Sequence, residues 1–207
     1  MTGKKVILIL VGLILALVFS IAIPTCSYNN SFVEKEQVVE QTWAQVQNVY
    51  QRRADLIPNL VNTVKGYAEH EQQTLSNVTE ARAGLSKAYN EANGISPESA
   101  TASQESMQQY QDAQNNLKGA LDLYINVVKE AYPDLKANQN FINLQTQLEG
   151  TENRIATERM RYTEAVKEYN TAVKKFPGKI FASFLGFDEK PQFQADKEAQ
   201  KAPEVQF

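Results

Sequence analysis

Apolar residues recur three and four positions apart over most of this chain, which is the spacing of amphipathic helices. From Ser31 onward the pattern divides into four runs separated by turn signals. Their apolar positions are Phe32, Val39, Trp43, Val46 and Tyr50; Val61, Val64, Ala68, Leu75, Val78 and Leu85; Met107, Tyr110, Leu117, Leu121, Tyr124, Val128 and Ala131; Phe141, Leu144, Leu148, Thr151, Ile155, Tyr162, Tyr169 and Phe176. No stretch alternates long enough to be a strand, so the sequence predicts an all-α fold.

Helix start and stop signals bound the four runs. The stretch SFVE has the form of a capping box in which Ser31 and Glu34 satisfy each other's backbone donors. In ISPES, Ser96 suits the cap of the third helix and Pro97 its first position. Pro133 in AYPDLKAN ends that helix, and FPG ends the fourth.

The connections between the runs are short, and short connections join antiparallel neighbours. The sequence therefore predicts an antiparallel up-and-down four-helix bundle, which we assign to residues 28–178. The third and fourth runs have about 34 and 38 residues, which gives a bundle about 50–57 Å long.

The stretch RRADLIPNLVNTVKGY, residues 52–67, contains a proline between the first and second runs. A proline in a helix interior removes a backbone hydrogen bond and costs about 3 kcal/mol. One unbroken helix of some 60 residues would also be about 90 Å long and would outreach its partners. We therefore expect Pro58 to mark a corner between two antiparallel helices. Asp55 would then be bonded by an arginine or by a backbone N–H of the next helix.

The segment before the four runs is strongly apolar. Val6 to Ile23 are 18 residues without a charge, and Pro24 follows them. As a helix they would span about 27 Å, close to the thickness of a bilayer's hydrocarbon core. The sequence predicts a single transmembrane helix that crosses the lipid bilayer, within an anchor of residues 1–27. A cleaved signal peptide is the alternative, because SIA at 20–22 has the small residues of a cleavage site.

Basic residues set the expected orientation of this anchor. Lys4 and Lys5 precede the apolar run, and Lys35 is the one basic residue that soon follows it. The positive-inside rule then places the N-terminus in the cytoplasm and the body outside it. Cys26 near the membrane edge raises lipidation as an option, although IPTC lacks the usual leucine and small residue before the cysteine.

Composition and charge exclude several classes of function. Of the 207 residues, 22% are charged and 43% are hydrophobic, which is typical of a globular protein. The net charge of −3 becomes −5 without Lys4 and Lys5, so no nucleic-acid partner is expected. One cysteine excludes an internal disulfide, and one histidine, His70, excludes an HExxH zinc site. We expect no metal or cofactor. A general base at His70 would need a nucleophile nearby, and the sequence shows none at a recognisable spacing.

One cluster of charged residues is a candidate for chemistry. In LEGTENRIATER, Glu149, Glu152 and Arg154 lie within two helical turns, and carboxylate pairs can act as acid and base. The same pattern is common on a solvated helix face. Arg52, Arg53 and Asp55 on the first helix could instead pair with these carboxylates across the bundle, which would fix its register.

The C-terminal segment of residues 179–207 is rich in phenylalanine. Six of the nine phenylalanines of the chain lie between Phe176 and Phe207. Phe181, Phe184, Leu185 and Phe187 predict one or two amphipathic helical turns. This helix could cover the open end of the bundle, or it could bind a partner or a membrane surface. Beyond Pro191 we expect a charged, extended segment.

Several long motifs of this chain resemble those of the LemA family of bacterial membrane-anchored proteins. They are RRADLIPNLVNTVKGY with EHE, EAYPDLKANQNF, LQTQLEGTENRIATERMRY, EYN and KKFPG. The resemblance covers about residues 28–187, and the ending APEVQF is also similar. It implies an N-terminal transmembrane helix, a four-helix bundle and no known activity. Family members have often been drawn with an internal body, whereas Lys4 and Lys5 favour an external one.

Taken together, these features predict a membrane-anchored scaffold or adaptor at the bacterial envelope. Such a protein would act through contacts with an unidentified envelope protein and would not be an enzyme. The alternative is an envelope enzyme that uses the cluster of Glu149, Glu152 and Arg154. A deep polar pocket would favour the enzyme, and a groove or an apolar patch would favour the adaptor.

Overall fold

The computed structural model of the chain describes residues 3–70 and 76–194. Within these residues the regular structure is helical and contains no strand, which confirms the all-α prediction. The elements are α1 (Gly3–His70), α2 (Ser76–Gly94), α3 (Pro97–Ala100), α4 (Gln104–Ala131), a 3₁₀ helix (Pro133–Ala137), α5 (Gln139–Lys174) and α6 (Gly178–Leu185).

Helix α1 is longer than the sequence predicts. Ser31 lies inside it, so the capping box expected there is wrong, and Pro24 does not end the helix. A proline removes one backbone hydrogen bond, and the other bonds of the turn can hold the helix together. The apolar run and the first amphipathic run therefore belong to one helix.

The predicted corner at Pro58 is also wrong, because α1 continues through it to His70. The ring of Pro58 is on the exposed face of the helix, while Leu56, Ile57 and Leu60 are buried around it. Burying each of these side chains contributes about 1.5–3 kcal/mol, which together outweighs the roughly 3 kcal/mol cost of the proline. The side-chain amide of Asn59 donates to the backbone oxygen of Asp55 at 3.3 Å.

The described chain forms two compact units, and α1 and α5 contribute a segment to each. Unit 1 comprises residues 3–41 and 165–189. Its aromatic side chains pair between α1 and the region of α6. Tyr28 stacks on Phe181 with 4.6 Å between ring centroids, and Phe32 lies 5.2 Å from Phe187.

Helix α6 confirms the predicted short helix in the Phe-rich segment. Gly186 ends it in the left-handed conformation, with φ of 80°. Gly178 begins it, and a side chain there would collide with the backbone oxygen of Ala172. Phe184 and Phe176 are exposed, so Phe176 does not belong to the core as its spacing suggested. A role of α6 as a cover for the bundle stays a prediction.

Unit 2 comprises residues 42–164 and 190–194 of the described chain. Its main core takes side chains from α1, α2, α4, the 3₁₀ helix and α5. They are Leu56, Ile57, Leu60, Val64, Ala68, Val78, Ala81, Leu85, Ala88, Ala92, Leu117, Leu121, Tyr124, Val128, Tyr132, Leu135, Phe141 and Leu148. Most of the apolar positions predicted between Val64 and Leu148 are thus buried, whereas Leu75 lies outside the described residues.

The third predicted helix is divided into α3 and α4. Ser96 and Pro97 begin α3 as expected, but the helix ends at Ala100. Ser103 then adopts an extended conformation, and its side chain accepts a hydrogen bond from the backbone N–H of Ser106. This second cap starts α4, and it explains why one continuous helix is not formed.

Candidate functional site

The structure gives Glu149, Glu152 and Arg154 different surroundings. Glu152 accepts a hydrogen bond from Arg53 at 2.9 Å. Glu149 is exposed and accepts one from the side chain of Gln145 at 2.7 Å. The side chain of Arg154 is exposed. The hypothesis that a carboxylate of α5 pairs with α1 is confirmed for Arg53 and Glu152.

The other charged residues near Pro58 do not take part in this pair. Arg52 is exposed. Asp55 accepts a hydrogen bond from Gln51 of its own helix at 2.8 Å, and not from an arginine or from the next helix as expected. The side chain of His70 lies outside the described residues. The helix face that carries Arg53 is therefore distinct from the face of its charged neighbours.

Arg53 connects three helices at the centre of unit 2. Its side chain is only 2% exposed. One terminal nitrogen donates to Glu152 of α5, and the other donates to the backbone oxygen of Gln114 in α4 at 3.2 Å and to its side-chain oxygen. The guanidinium also lies 5.2 Å from the ring centroid of Tyr50. The planar guanidinium can make these contacts with α1, α4 and α5 at the same time.

Beside this network is a cavity of about 580 Å³ with a mainly uncharged lining. It is lined by Gln47, Asn48, Tyr50, Gln51, Tyr89, Ala92, Asn93, Ile95, Pro97, Glu98, Tyr110 and Gln114. Burial raises the pKa of Tyr110 well above its usual value, so its hydroxyl stays protonated. A hydrogen bond from Ser96 lowers the pKa of Glu98, so that carboxylate stays ionised. The cavity therefore offers mainly neutral hydrogen-bonding groups, and Glu98 is the charged residue of its lining.

A second cavity, of about 570 Å³, lies between α4 and α5. Glu149 and Glu152 both line it, together with Lys118, Asp122 and Lys129. A hydrogen bond to Asp122 raises the pKa of Lys118 and keeps it charged. Within residues 3–70 and 76–194, no group of three or more histidine, cysteine or acidic side chains is arranged to hold a metal ion.

A third feature of unit 2, which the sequence did not reveal, is a groove occupied by residues 190–194. We call it the tail groove, formed by Trp43, Gln104, Gln111, Arg159 and Tyr162. The side-chain amide of Gln104 donates to the backbone oxygen of Gln192 at 2.9 Å and accepts from its N–H at 3.1 Å. Gln111 makes the same two bonds with Gln194, at 2.8 and 3.1 Å.

Between these two paired contacts, the ring of Phe193 enters an aromatic pocket. Its centroid lies 5.5 Å from Tyr162 and 6.1 Å from Trp43, and Arg159 lies 4.6 Å away over its face. Phe193 is 8% exposed. The hydroxyl of Tyr162 donates to the backbone oxygen of Pro191 at 2.9 Å. The expected extended segment beyond Pro191 is therefore packed on unit 2 as far as Gln194.

A weak sequence signal for this groove exists in α4. Gln104 and Gln111 are seven residues apart, which places them on one face of a helix. Gln111 is 4% exposed and Gln114 is 5% exposed, so both occupy core positions. Buried amides need hydrogen-bond partners. Gln111 and Gln114 interrupt the apolar stripe that contains Met107 and Tyr110, and this interruption was the signal in the sequence.

Comparisons with known proteins agree with the motifs of the sequence. The sequence model of the LemA family matches residues 42–207. A curated relative, Protein LemA of Metamycoplasma hominis, is 23% identical over 168 residues, which are 81% of this chain and 69% of that protein. Because the family match extends over well more than half of the sequence, this chain belongs to the LemA family.

Proposed function

We propose that this protein is a membrane-anchored scaffold or adaptor that acts through protein–protein contacts at the bacterial envelope. In this proposal Val6 to Ile23 cross the lipid bilayer, and the later part of α1 forms an antiparallel up-and-down four-helix bundle with α2, α4 and α5. The bundle presents binding surfaces to an envelope protein partner. The observation that carries the proposal is the tail groove, in which unit 2 already holds an extended peptide segment.

The anchor is supported by the surface of α1 near its start. This helix is long and apolar enough there to cross a membrane, by length and composition. Apolar side chains such as Leu13, Leu17, Phe19 and Ile23 are all more than 60% exposed. A helix that is apolar all round favours burial in lipid or in a large core, and these side chains have no such core around them in the described chain.

The bundle is supported by the shared core of unit 2. Four long helical segments contribute to that core, and the connections between α2, α4 and α5 are short. Short connections favour antiparallel neighbours. We further propose that the body lies outside the cytoplasm, because Lys4 and Lys5 precede the apolar run.

The adaptor proposal is tested by crosslinking in native membranes. A photo-reactive residue replaces Gln108, which lies on α4 between the two glutamines of the tail groove. The matched control carries the same residue at Lys87, which is exposed on α2. We expect a discrete protein product from position 108 and a much weaker one from position 87. Light-dependent products with lipid alone at both positions, and at further body positions, would contradict an adaptor.

One observation favours the alternative, an envelope enzyme that uses Glu149, Glu152 and Arg154. Glu149 and Glu152 line the same cavity as the charged amines of Lys118 and Lys129. However, Glu152 is bonded to the buried Arg53, which makes its first role the neutralisation of that charge. The two functions are separated by variants of Glu149, whose side chain is exposed.

A further inference from the structure

The tail groove binds its segment mainly through the peptide backbone. Gln104 and Gln111 each pair with both the N–H and the C=O of one residue, as a neighbouring β-strand would. In an extended chain the backbone N–H and C=O groups of every second residue point to the same side, and Gln192 and Gln194 are two residues apart. Main-chain bonds of this kind hold a peptide without reading its side chains.

Pro191 and Phe193 are the buried residues of the segment, and Phe193 makes the aromatic contacts that select a side chain. The pocket of Trp43, Tyr162 and Arg159 surrounds the ring of Phe193. The flanking side chains of Gln192 and Gln194 belong to exposed residues. An aromatic ring contributes both buried area and a cation–π contact with Arg159, and an aliphatic side chain contributes only the former.

The wall of the pocket contains one buried polar group without a partner. The indole N–H of Trp43 is buried and has no hydrogen-bond partner among the described residues. Trp43 therefore offers this segment ring contacts and no hydrogen bond. Residues 190–194 occupy the tail groove because they belong to the same chain, which gives them a high effective concentration there.

We infer that the tail groove is a peptide-binding site, which residues 190–194 occupy within the chain and which an extended segment of a partner protein occupies in their place. The partner segment carries an aromatic residue at the position of Phe193. It has no proline at the positions of Gln192 and Gln194, because both backbone N–H groups are bonded. A proline is accepted at the position of Pro191, where the carbonyl oxygen alone is bonded. This inference rests on the proposed adaptor function and names its partner class.

The test uses the full chain in detergent micelles and a fluorescent peptide of residues 188–196. The variant Phe193→Ala opens the groove, and fluorescence anisotropy measures peptide binding. Because an attached segment competes at about millimolar effective concentration, we expect the variant to bind the peptide at least about tenfold more tightly than the wild type. Comparable weak binding by both proteins would overturn the inference.

Peptide variants then test how the groove reads its ligand. A peptide with Phe193→Ala and one with Gln194→Pro should each lose binding. A peptide with both Gln192→Ser and Gln194→Ser should bind nearly as well as the parent, since only its backbone is read. On the protein side, Gln104→Leu with Gln111→Leu should abolish binding, and Gln109→Leu on an exposed position of α4 should not. If the serine peptide loses binding while the Gln194→Pro peptide keeps it, the groove does not recognise its ligand through the backbone.

A second measurement covers the case in which Phe193→Ala does not fold. A specific protease site is inserted between Glu189 and Lys190 of the otherwise unchanged chain, which is cut after folding. We expect the released tail to stay bound and to be displaced by excess peptide of residues 188–196. Release without rebinding, or a tail that leaves only when the protein unfolds, would overturn the inference. If the peptide fails to bind while body positions away from the groove still crosslink to a protein, the adaptor proposal stands and the groove inference falls.

Discussion

The guanidinium of Arg53 in α1 donates to the carboxylate of Glu152 in α5 at 2.9 Å, from a side chain that is only 2% exposed. Arg53 occupies a position of α1 where every neighbour in the same row is buried. That row is Trp43, Val46, Tyr50, Arg53, Ile57, Leu60, Val64 and Ala68. The pair is therefore an internal connection of unit 2 and not a surface ion pair.

The first prediction concerns the stability that this pair provides. Replacing Arg53 by alanine leaves Glu152 and Gln114 without their partner and should lower the free energy of unfolding by about 3–5 kcal/mol. The control is Arg52→Ala, whose exposed side chain should change it by less than about 0.5 kcal/mol. Urea unfolding followed by the fluorescence of Trp43, the single tryptophan, measures both. Equal effects of the two substitutions would show that the buried pair has no special role.

The second prediction separates the adaptor from the enzyme. Glu149→Ala and Arg154→Ala should each change the free energy of unfolding by less than about 0.5 kcal/mol, because both side chains are exposed. Glu152→Ala should be as destabilising as Arg53→Ala, because it leaves a buried charge unpaired. The enzyme alternative requires a different result. A turnover by the purified protein that disappears in the fully folded Glu149→Ala variant would contradict the adaptor proposal.

The third prediction concerns membrane orientation. Cys26 is the single cysteine, so Cys26→Ser gives a background without thiols. Ser86 is exposed on α2, and Ser86→Cys in that background introduces one reporter. If the body lies outside the cytoplasm, a membrane-impermeant thiol reagent should label it in intact spheroplasts. Labelling that appears only after lysis would place the body inside, as the family is often drawn.

The fourth prediction concerns stability at high pH. Burial raises the pKa of Tyr124 from its usual 10 to about 12. Between these values the unfolded chain loses a proton that the folded chain keeps, so stability is complete below pH 10 and falls as the pH rises toward 12. Ionisation of Tyr124 should lower the free energy of unfolding by at most about 1.4 kcal/mol per pH unit in that window.

The matched variant for this measurement is Tyr124→Phe, which keeps the ring and removes the titrating hydroxyl. Its unfolding free energy should decline less steeply than that of the wild type between pH 10 and about 12. The remaining slope should come from other buried tyrosines, such as Tyr169, whose pKa burial also raises to about 12. Identical slopes for the wild type and the variant would show that Tyr124 titrates equally in both states.

Hydrophobic spacing was sufficient to predict the helical class and most of the core, because core positions of long helices repeat every three or four residues. It failed around Arg53 because a charged residue fills a core position there. The row from Tyr50 through Arg53 to Ile57 is continuous, yet without Arg53 the apolar stripe seemed to shift its phase. The length of one unbroken helix, together with Pro58, suggested a corner, which the continuous packing of this row overrides.

The sequence suggested the ion pair of Arg53 and Glu152 and did not suggest the tail groove. Charge complementarity suggested that Arg53 could reach a carboxylate of α5, and Glu152 is that carboxylate. The tail groove was missed because its main contacts join side-chain amides to a backbone, and backbone groups leave no trace in a sequence pattern. Phe193 was counted among the phenylalanines of the tail, but nothing in its immediate sequence shows that it fills a pocket with Trp43, which lies 150 residues earlier in the chain.

The late position of Phe193 has a consequence for protein synthesis. Trp43 precedes Phe193 by 150 residues, so one wall of the aromatic pocket is made long before the ring that fills it. At a translation rate of about 5–20 residues per second, the delay is roughly 8–30 s. For most of that interval Trp43 is the one part of the pocket that has been made, because Arg159 and Tyr162 precede Phe193 by only about 30 residues. The pocket and the ring that fills it are therefore completed nearly together, at the end of synthesis.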